Sequence, residues 1–310
     1  TLVKQKKTLP IGGNNLISFD KVEIISRSFK KKISINKINK LPNNIKKNLK
    51  RDIKLITKKK KFKNLKLEKT PLIMGILNIT PDSFSDGGKY NNSYLAEKKL
   101  NTLFKAGADI VDIGGESTRP GSKSISSKVE WKRIIKILKK INKRDFISLD
   151  TRKSDIMQKG IKYGIKLIND VSGLSFDRNT VNVLKKYKIP FVLQHSLGNP
   201  DVMQKNPKYN NVLLDIYDFF EKKIKFLRSI GINHNNIFLD PGIGFGKNLK
   251  HNMTIIKNIS IYHSLGFPIL VGVSRKKFIK ELSGKNDSSL RIGGTISTII
   301  FLMMQGVQVF

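Results

Sequence analysis

The sequence predicts an α/β protein, a (β/α)8 TIM barrel with an incomplete eighth strand, carried behind a basic N-terminal extension. Three observations point there. The chain has 310 residues, which suits one barrel of about 250 residues plus an appendage. From Leu72 onward, short apolar runs alternate with amphipathic stretches. Each completed run also ends in a polar or ionisable side chain.

The runs are "LIMGILN" (72–78), "DIVDIGG" (109–115), "FISLDT" (146–151), "KLINDV" (166–171), "PFVLQHS" (190–196), "IFLDPG" (237–242), "PILVGVS" (268–274) and "VQVF" (307–310). Helix-like stretches lie between them, among them 93–106, 128–141, 178–187, 211–230 and 288–305. Short continuous apolar strands separated by helices indicate parallel strands covered on both faces. Seven such units with an eighth strand just starting make the eightfold barrel. The alternative is a doubly wound open sheet, whose dinucleotide version wants G-x-G-x-x-G after the first strand; that pattern is absent here.

The organisation changes near Pro71, dividing a Lys-rich extension (1–70) from a barrel (71–310). Within 1–70, the stretch "IGGNNLISFDKVEIISRSF" (11–29), with Val22, Ile24 and Ile25 as apolar positions, suits one or two short strands. Ile45, Leu49, Ile53 and Ile56 approximate a helical stripe with a Lys-rich opposite face. That stripe suits either a docked helix or a linker.

The net charge is +37, and residues 1–70 hold 22 Lys and Arg against 4 Asp and Glu. A tail for nucleic acid or an anionic membrane is one reading. Compositional drift is the other and the better supported. Lys, Asn and Ile are abundant throughout, Arg is scarce, and residues 30–70 offer only Arg51 and Phe62 for the contacts nucleic-acid sites favour. No specific nucleic-acid partner is expected. There is no cysteine, which removes disulfides, thiolate metal sites and cysteine nucleophiles. No apolar run reaches the roughly 18 residues of a membrane span, and the cytoplasm is the simplest compartment.

In a barrel the reactive groups gather at the C-terminal ends of the strands. Here those ends carry Asn78, Glu116, Asp150, Asn169 with Asp170, His195, Asp240, and Ser274-Arg275-Lys276. One such ending would be a helix cap; seven at one rim imply a polar pocket. The first loop, "NITPDSFSDGGKY", reads as a lid with an exposed Phe84. The second, "GGESTRPGS", presents Arg119 for an anion or a surface ion pair. "SRKKF" puts cations where barrels often bind phosphate. "DPGIGFGK" is a glycine-rich rim loop rather than a nucleotide loop, because Pro241 and Asn248 break the Walker pattern. His234, His251 and His263 have no ligand-like spacing. Asp82 and Asp112 divide evenly between local structure and function.

Taken together, "MGILNITPDSFSDGG", "GADIVDIGGESTRPGS", "INDVSG", "FLDPGIGFGKNLKHN" and "VGVSRKKFI" resemble dihydropteroate synthase, in the family's order and spacing, over about residues 71–310. The segment "GGNNLISFDKVEIISR" resembles, more weakly, an N-terminal region of some bacterial members. The resemblance implies a transferase in which the amine of p-aminobenzoate displaces pyrophosphate from 6-hydroxymethyl-7,8-dihydropterin pyrophosphate. It implies that Asp150, Asn169, Asp240 and Lys276 bind the pterin, with Asp150, Lys276 and Asn78 central to catalysis. It implies Mg²⁺ at Asn78, and pyrophosphate contacts from Thr118, Arg275 and Asn78. Phe84, Thr118, Arg119, Pro120, Ser274 and Lys277 would surround p-aminobenzoate. Members often form homodimers through outer helices.

The chain departs from the family in four places. Lys277 stands where many members have a serine for the p-aminobenzoate carboxylate. Arg152 follows Thr151 where a smaller residue is common, and either crowds the site or points away. Gln194 and Ser196 flank His195 where Met is common. The chain also stops at Phe310, about where the family's Arg-x-His motif would follow. It therefore reads as a fragment at both ends, with an open barrel edge. The contrasting readings are a non-catalytic pterin binder and a corrinoid-dependent methyltransferase barrel. The latter would share the Asp/Asn pocket but lack the lid, "ESTRP" and "SRK".

Overall fold

The computed structural model describes residues 1–60, 62, 65, 67, 71–80, 92–117, 122–197 and 207–310. The N-terminal segment forms four short strands, two of them, Asn14–Phe19 and Lys21–Ile25, in the stretch where one or two were expected. β1 (Leu9–Ile11) and β2 (Asn14–Phe19) make an antiparallel hairpin. Its two-residue Gly12-Gly13 connection has positive φ at both positions, as tight hairpin turns require. β3 (Lys21–Ile25) pairs antiparallel with β4 (Lys30–Ser34). A 3₁₀ turn (Ile35–Lys40) leads to α1 (Asn43–Thr57).

The apolar stripe of α1 is a docked helix face. Leu49 joins Val22, Ile33 and Ile38 in a small core, with Ile53 packed against it. α1 also packs on the 3₁₀ segment Ile259–Leu265 of the barrel wall. Arg27 pairs with Asp215 at 2.9 Å and Asp218 at 2.6 Å. The Gly12 N–H donates to the Ile56 carbonyl.

The barrel follows with β5 (Met74–Asn78), α2 (Asn92–Lys105), β6 (Ile110–Gly114), α3 (Ser127–Leu138), β7 (Ile147–Asp150), α4 (Ser154–Lys162), β8 (Leu167–Asp170), α5 (Thr180–Tyr187), β9 (Phe191–Gln194), α6 (Val212–Ser229), β10 (Ile237–Asp240), α7 (Leu249–Lys257), α8 (Lys277–Ser283) and α9 (Ile292–Met304). β5 to β10 pair in parallel in chain order. Short bridges carry the ring onward, Leu239 to Ile269, Leu270 to Val309, and Val309 to Leu72. The Phe310 N–H donates to the Leu72 carbonyl, and the Met74 N–H to the Phe310 carbonyl. The expected open edge is therefore absent. Residues 307–310 are buried and paired on both sides, because even a short segment satisfies the backbone groups flanking it.

Alternation along the strands divides the core in two. Val111, Ile113, Ile147, Leu149, Ile168, Phe191, Leu193, Ile237 and Leu239 belong to the large cluster shared with the helices. Ile110, Leu167, Val192 and Phe238, one residue out of phase, form a second cluster with Met74, Leu270 and Val309. Phe62 and Leu67, from the end of the N-terminal segment, complete that cluster. The Phe62 ring meets Phe238 edge-on at 4.3 Å between centroids. The N-terminal segment thus plugs the floor of the barrel.

Candidate active site

Two residues beyond four of the floor positions, on the same strand face, the side chains become polar. Ile110 is followed by Asp112, Leu167 by Asn169, Val192 by Gln194 and Phe238 by Asp240. Asp150 ends β7 and Asn78 ends β5. This places a layer of polar groups over an apolar floor.

The layer is knit together across strands. Asn169 Nδ2 donates to Asp112 Oδ2 at 2.8 Å. A Cβ at Gly114 would meet Asn78 Oδ1 at 3.3 Å and Asp150 Oδ2 at 3.4 Å. Asn78 and Asp150 therefore share the space over Gly114, where a larger residue would intrude. Asp112 Oδ1, Asp150 Oδ1, Asn169 Oδ1 and Gln194 Nε2 are buried with no hydrogen-bond partner among the described residues. Burying polar groups unpaired is costly, so such a group of atoms marks a place where a ligand supplies the partners. Three of the four are acceptors.

The carboxyls respond accordingly. Burial, then the neighbouring Asp112 charge, pushes Asp150 well above the usual carboxylate range. Burial also raises Asp112 and Asp170. Asp240 is raised by burial, partly offset by the Lys276 charge. Its Oδ1 accepts from the Gly242 N–H at 2.7 Å.

Lys276 lies opposite. Its ammonium donates to the Ile243 carbonyl and sits 4.7 Å from the centroid of the Phe245 ring. Burial lowers its pKa to about 8 against the favourable pull of Asp240. The glycine-rich loop 242–246 brings these groups close. Gly242 has φ +69°, and a Cβ there would collide with the His195 carbonyl oxygen at 2.0 Å. The loop ends in a capping box at α7, where Asn248 caps the helix and His251 returns the bond. His251 is thus a structural residue. So is His195, whose Nδ1 lies 3.1 Å from the Lys247 ammonium. Burial, then the Lys247 charge, takes its pKa down to about 3, so the ring is neutral at physiological pH.

The structure brings Asn78, Asp150, Asn169, Asp240 and Lys276 to one end of the barrel. Ser274 and Arg275 are exposed on the loop just before Lys276, and Arg275 holds a left-handed φ of +51°. Lys277 begins α8 with its side chain 83% exposed and paired with Glu281 at 3.4 Å. Phe84, Thr118, Arg119 and Pro120 lie outside the described residues. Arg152 does not crowd the pocket; it turns to Glu116, with Nη2 2.9 Å from Oε2. Asp112, left undecided by the sequence, belongs to the layer. Its signal was the period of two within an otherwise apolar run.

Two other cavities, of about 420 and 630 Å³, lie between the N-terminal segment and the outer wall of the barrel. They share no residue with the polar layer. Among the described residues, no helix is long and apolar enough to cross a membrane.

Residues 74–310 match the family described as "Pterin binding enzyme". The chain is 39% identical over 241 residues to the dihydropteroate synthase of Escherichia coli K12, covering 77% of this chain and 85% of that one. A dihydropteroate synthase structure from Clostridium difficile, determined in the presence of pteroic acid, superposes with a TM-score of 0.73 at 38% identity, covering 78% of this chain and 90% of that one. The Xanthomonas albilineans dihydropteroate synthase with 4-aminobenzoic acid gives 0.74 at 32% identity, over 79% and 88%. The pocket lies within the matched span, at the end of the barrel where the chain's polar layer stands. The chain belongs to the pterin-binding enzymes and, among them, to the dihydropteroate synthases.

Proposed function

We propose that the chain joins p-aminobenzoate to 6-hydroxymethyl-7,8-dihydropterin pyrophosphate, giving 7,8-dihydropteroate and pyrophosphate. The bond from the pterin methylene to the pyrophosphate oxygen breaks, a bond to the amine nitrogen forms, and the amine loses a proton. The observation that carries the reading is the set of buried acceptors on Asp112, Asp150 and Asn169 that find no partner among the described residues. An aminopyrimidine edge offers ring N–H and amino donors to such acceptors. Polar matching of that kind gives strong discrimination.

In this reading Asp150, Asn169 and Asp240 accept from the pterin edge, and Lys276 donates to its acceptor side. Asn78 offers a hard amide oxygen beside Asp150. That fits Mg²⁺, which commonly keeps its waters and takes substrate phosphates with one or two protein oxygens. Asn78 is the protein ligand we propose, as the resemblance implies. When bound, the ion supplies charge neutralisation for the leaving pyrophosphate. Thr118 and Arg275 would hold the same group. Phe84, Thr118, Arg119, Pro120 and Ser274 would surround p-aminobenzoate, with Lys277 reaching its carboxylate only by leaving Glu281. The amine is neutral at physiological pH and needs no strong base.

We take residues 71–310 as the catalytic unit, acting in the cytoplasm, and 1–70 as its accessory. A homodimer is supported by the exposed apolar face of α9, formed by Ile292, Ile296, Ile300 and Met304. The test of the function is p-aminobenzoate-dependent release of pyrophosphate with Mg²⁺ present. Release that requires both substrates is expected. Tight pterin binding without release would instead make the chain a non-catalytic binder.

A further inference from the structure

Arg152 is a departure from the family pattern, and the structure gives it work outside the pterin pocket. Its guanidinium is buried against Glu116, with Nη2 at 2.9 Å and Nε at 3.3 Å from Oε2. Glu116 stands two residues past the end of β6, in the second loop. Its other oxygen reaches the far side of that loop, accepting from the Ile125 N–H at 2.8 Å and from Ser124 Oγ at 3.1 Å. One buried carboxylate therefore ties together both stems of the loop. Lys153 touches the same carboxylate at 3.1 Å but is shared with Glu130, at 2.6 Å. Two cations thus face two carboxylates. Without Arg152, Lys153 alone among the described residues would pair with both anions.

Arg152 also reaches a third loop. Its guanidinium carbon stands 4.2 Å from the centroid of the Phe176 ring, which belongs to the loop after β8. A planar guanidinium can bond a carboxylate and stack on a ring at once; a lysine cannot do both in that geometry. The loops following β6, β7 and β8 are joined through this one side chain.

We propose that Arg152 is a positioning residue that sets the spacing of the two stems of the second loop and so governs the p-aminobenzoate half of the reaction. This rests on the reading that the residues between those stems, Thr118 and Arg119, contact p-aminobenzoate. The pterin-facing side chains sit on the strand ends, so pterin binding is the internal control.

The experiment compares the wild type with Arg152→Met, Arg152→Lys and Phe176→Leu in the full chain. For Arg152→Met the KM for p-aminobenzoate should rise about tenfold, equivalent to about 1.4 kcal/mol. Affinity for the dihydropterin pyrophosphate, by titration calorimetry, should stay within about twofold. Arg152→Lys should recover part of the loss. Phe176→Leu leaves every ion pair intact and should raise the same KM by a few-fold, so it stands in if Arg152→Met fails to fold. Tryptic cleavage after Lys123, inside the loop, should quicken in the Arg152 variants whether or not the chain is active. Equal loss of both substrates, or a lowered melting temperature with unchanged KM and cleavage, would make the cluster merely structural and overturn the proposal. Inactive wild type with accelerated cleavage in the variants would sink the functional reading while leaving the tether in place.

Discussion

The two ends of the barrel are built on the same strands and differ by one step of two residues. At the floor, Ile110, Leu167, Val192 and Phe238 meet the plug of Phe62 and Leu67. At the rim, Asp112, Asn169, Gln194 and Asp240 occupy the next position on the same face. The floor is apolar and packed. The rim holds buried polar atoms without partners among the described residues, and carboxyls pushed up by burial. The difference teaches how labour is divided within one strand. The floor supplies the stability that lets the rim remain polar and unsatisfied until substrate arrives.

The sharpest way to break that contrast is to remove a rim carboxylate. Asp150→Asn should lower kcat/KM by roughly a thousandfold, as expected where a buried site loses its match to a substrate edge. The same change should raise stability by about 1 kcal/mol, since function and stability oppose each other at such positions. The sign follows from the raised folded pKa. A carboxyl that binds its proton more tightly when folded weakens the fold as pH rises past its unfolded value. Steady-state kinetics and thermal melts on one preparation decide it; a variant both inactive and less stable would contradict the contrast.

The floor should behave in the opposite way. Phe62→Ala removes a ring that is 1% exposed and should cost about 3–5 kcal/mol in urea unfolding. kcat/KM of the folded fraction should stay unchanged. A large kinetic effect would mean that floor and rim are coupled.

A smaller effect is expected from pH. Burial lowers the Lys247 ammonium to about 7, with Asp240 opposing and Lys276 reinforcing the shift, and His195 against it stays neutral. Its folded pKa lies below that of an unfolded lysine, about 10.4. Between those values the unfolded chain binds more protons, so the stability contribution rises with pH at up to about 1.4 kcal/mol per unit. The cost is fully present below pH 7. Lys247→Met should flatten this rise between pH 7 and 10, measured as the midpoint of denaturation against pH. An unaltered slope would assign the titration elsewhere.

The smallest effect should come from Lys277→Ser. Its ammonium is exposed and paired with Glu281 on the surface of α8, and exposed pairs contribute little. Melting should not move measurably. A KM for p-aminobenzoate within about twofold of the wild type would leave the carboxylate to other contacts; a larger change would bring Lys277 into the site.

Much of this was legible in the chain. The runs ending at Asn78, Asp150, Asn169 and Asp240 could be read locally, because a buried parallel strand and its following loop are both short-range patterns. The stripe on α1 was legible as a helix but not as a docked one, because its partner, the segment 259–265, lies far along the chain. Asp112 was undecided for a similar reason. Its amide partner, Asn169, is 57 residues away, and the period of two around Asp112 does not by itself say which strand face turns inward. Arg152 looked equally able to enter the pocket or leave it until Glu116 was placed beside it.

The sequence by itself determined the order of the strands, the polar character of their ends and the family to which those motifs belong. These depend on neighbours a few residues apart. The tertiary structure alone decided which polar ends meet, that Phe62 seals the floor, that Val309 closes the ring, and that Arg152 ties three loops together. Those outcomes depend on pairing distant strands around a closed barrel, and only that closure defines an inside.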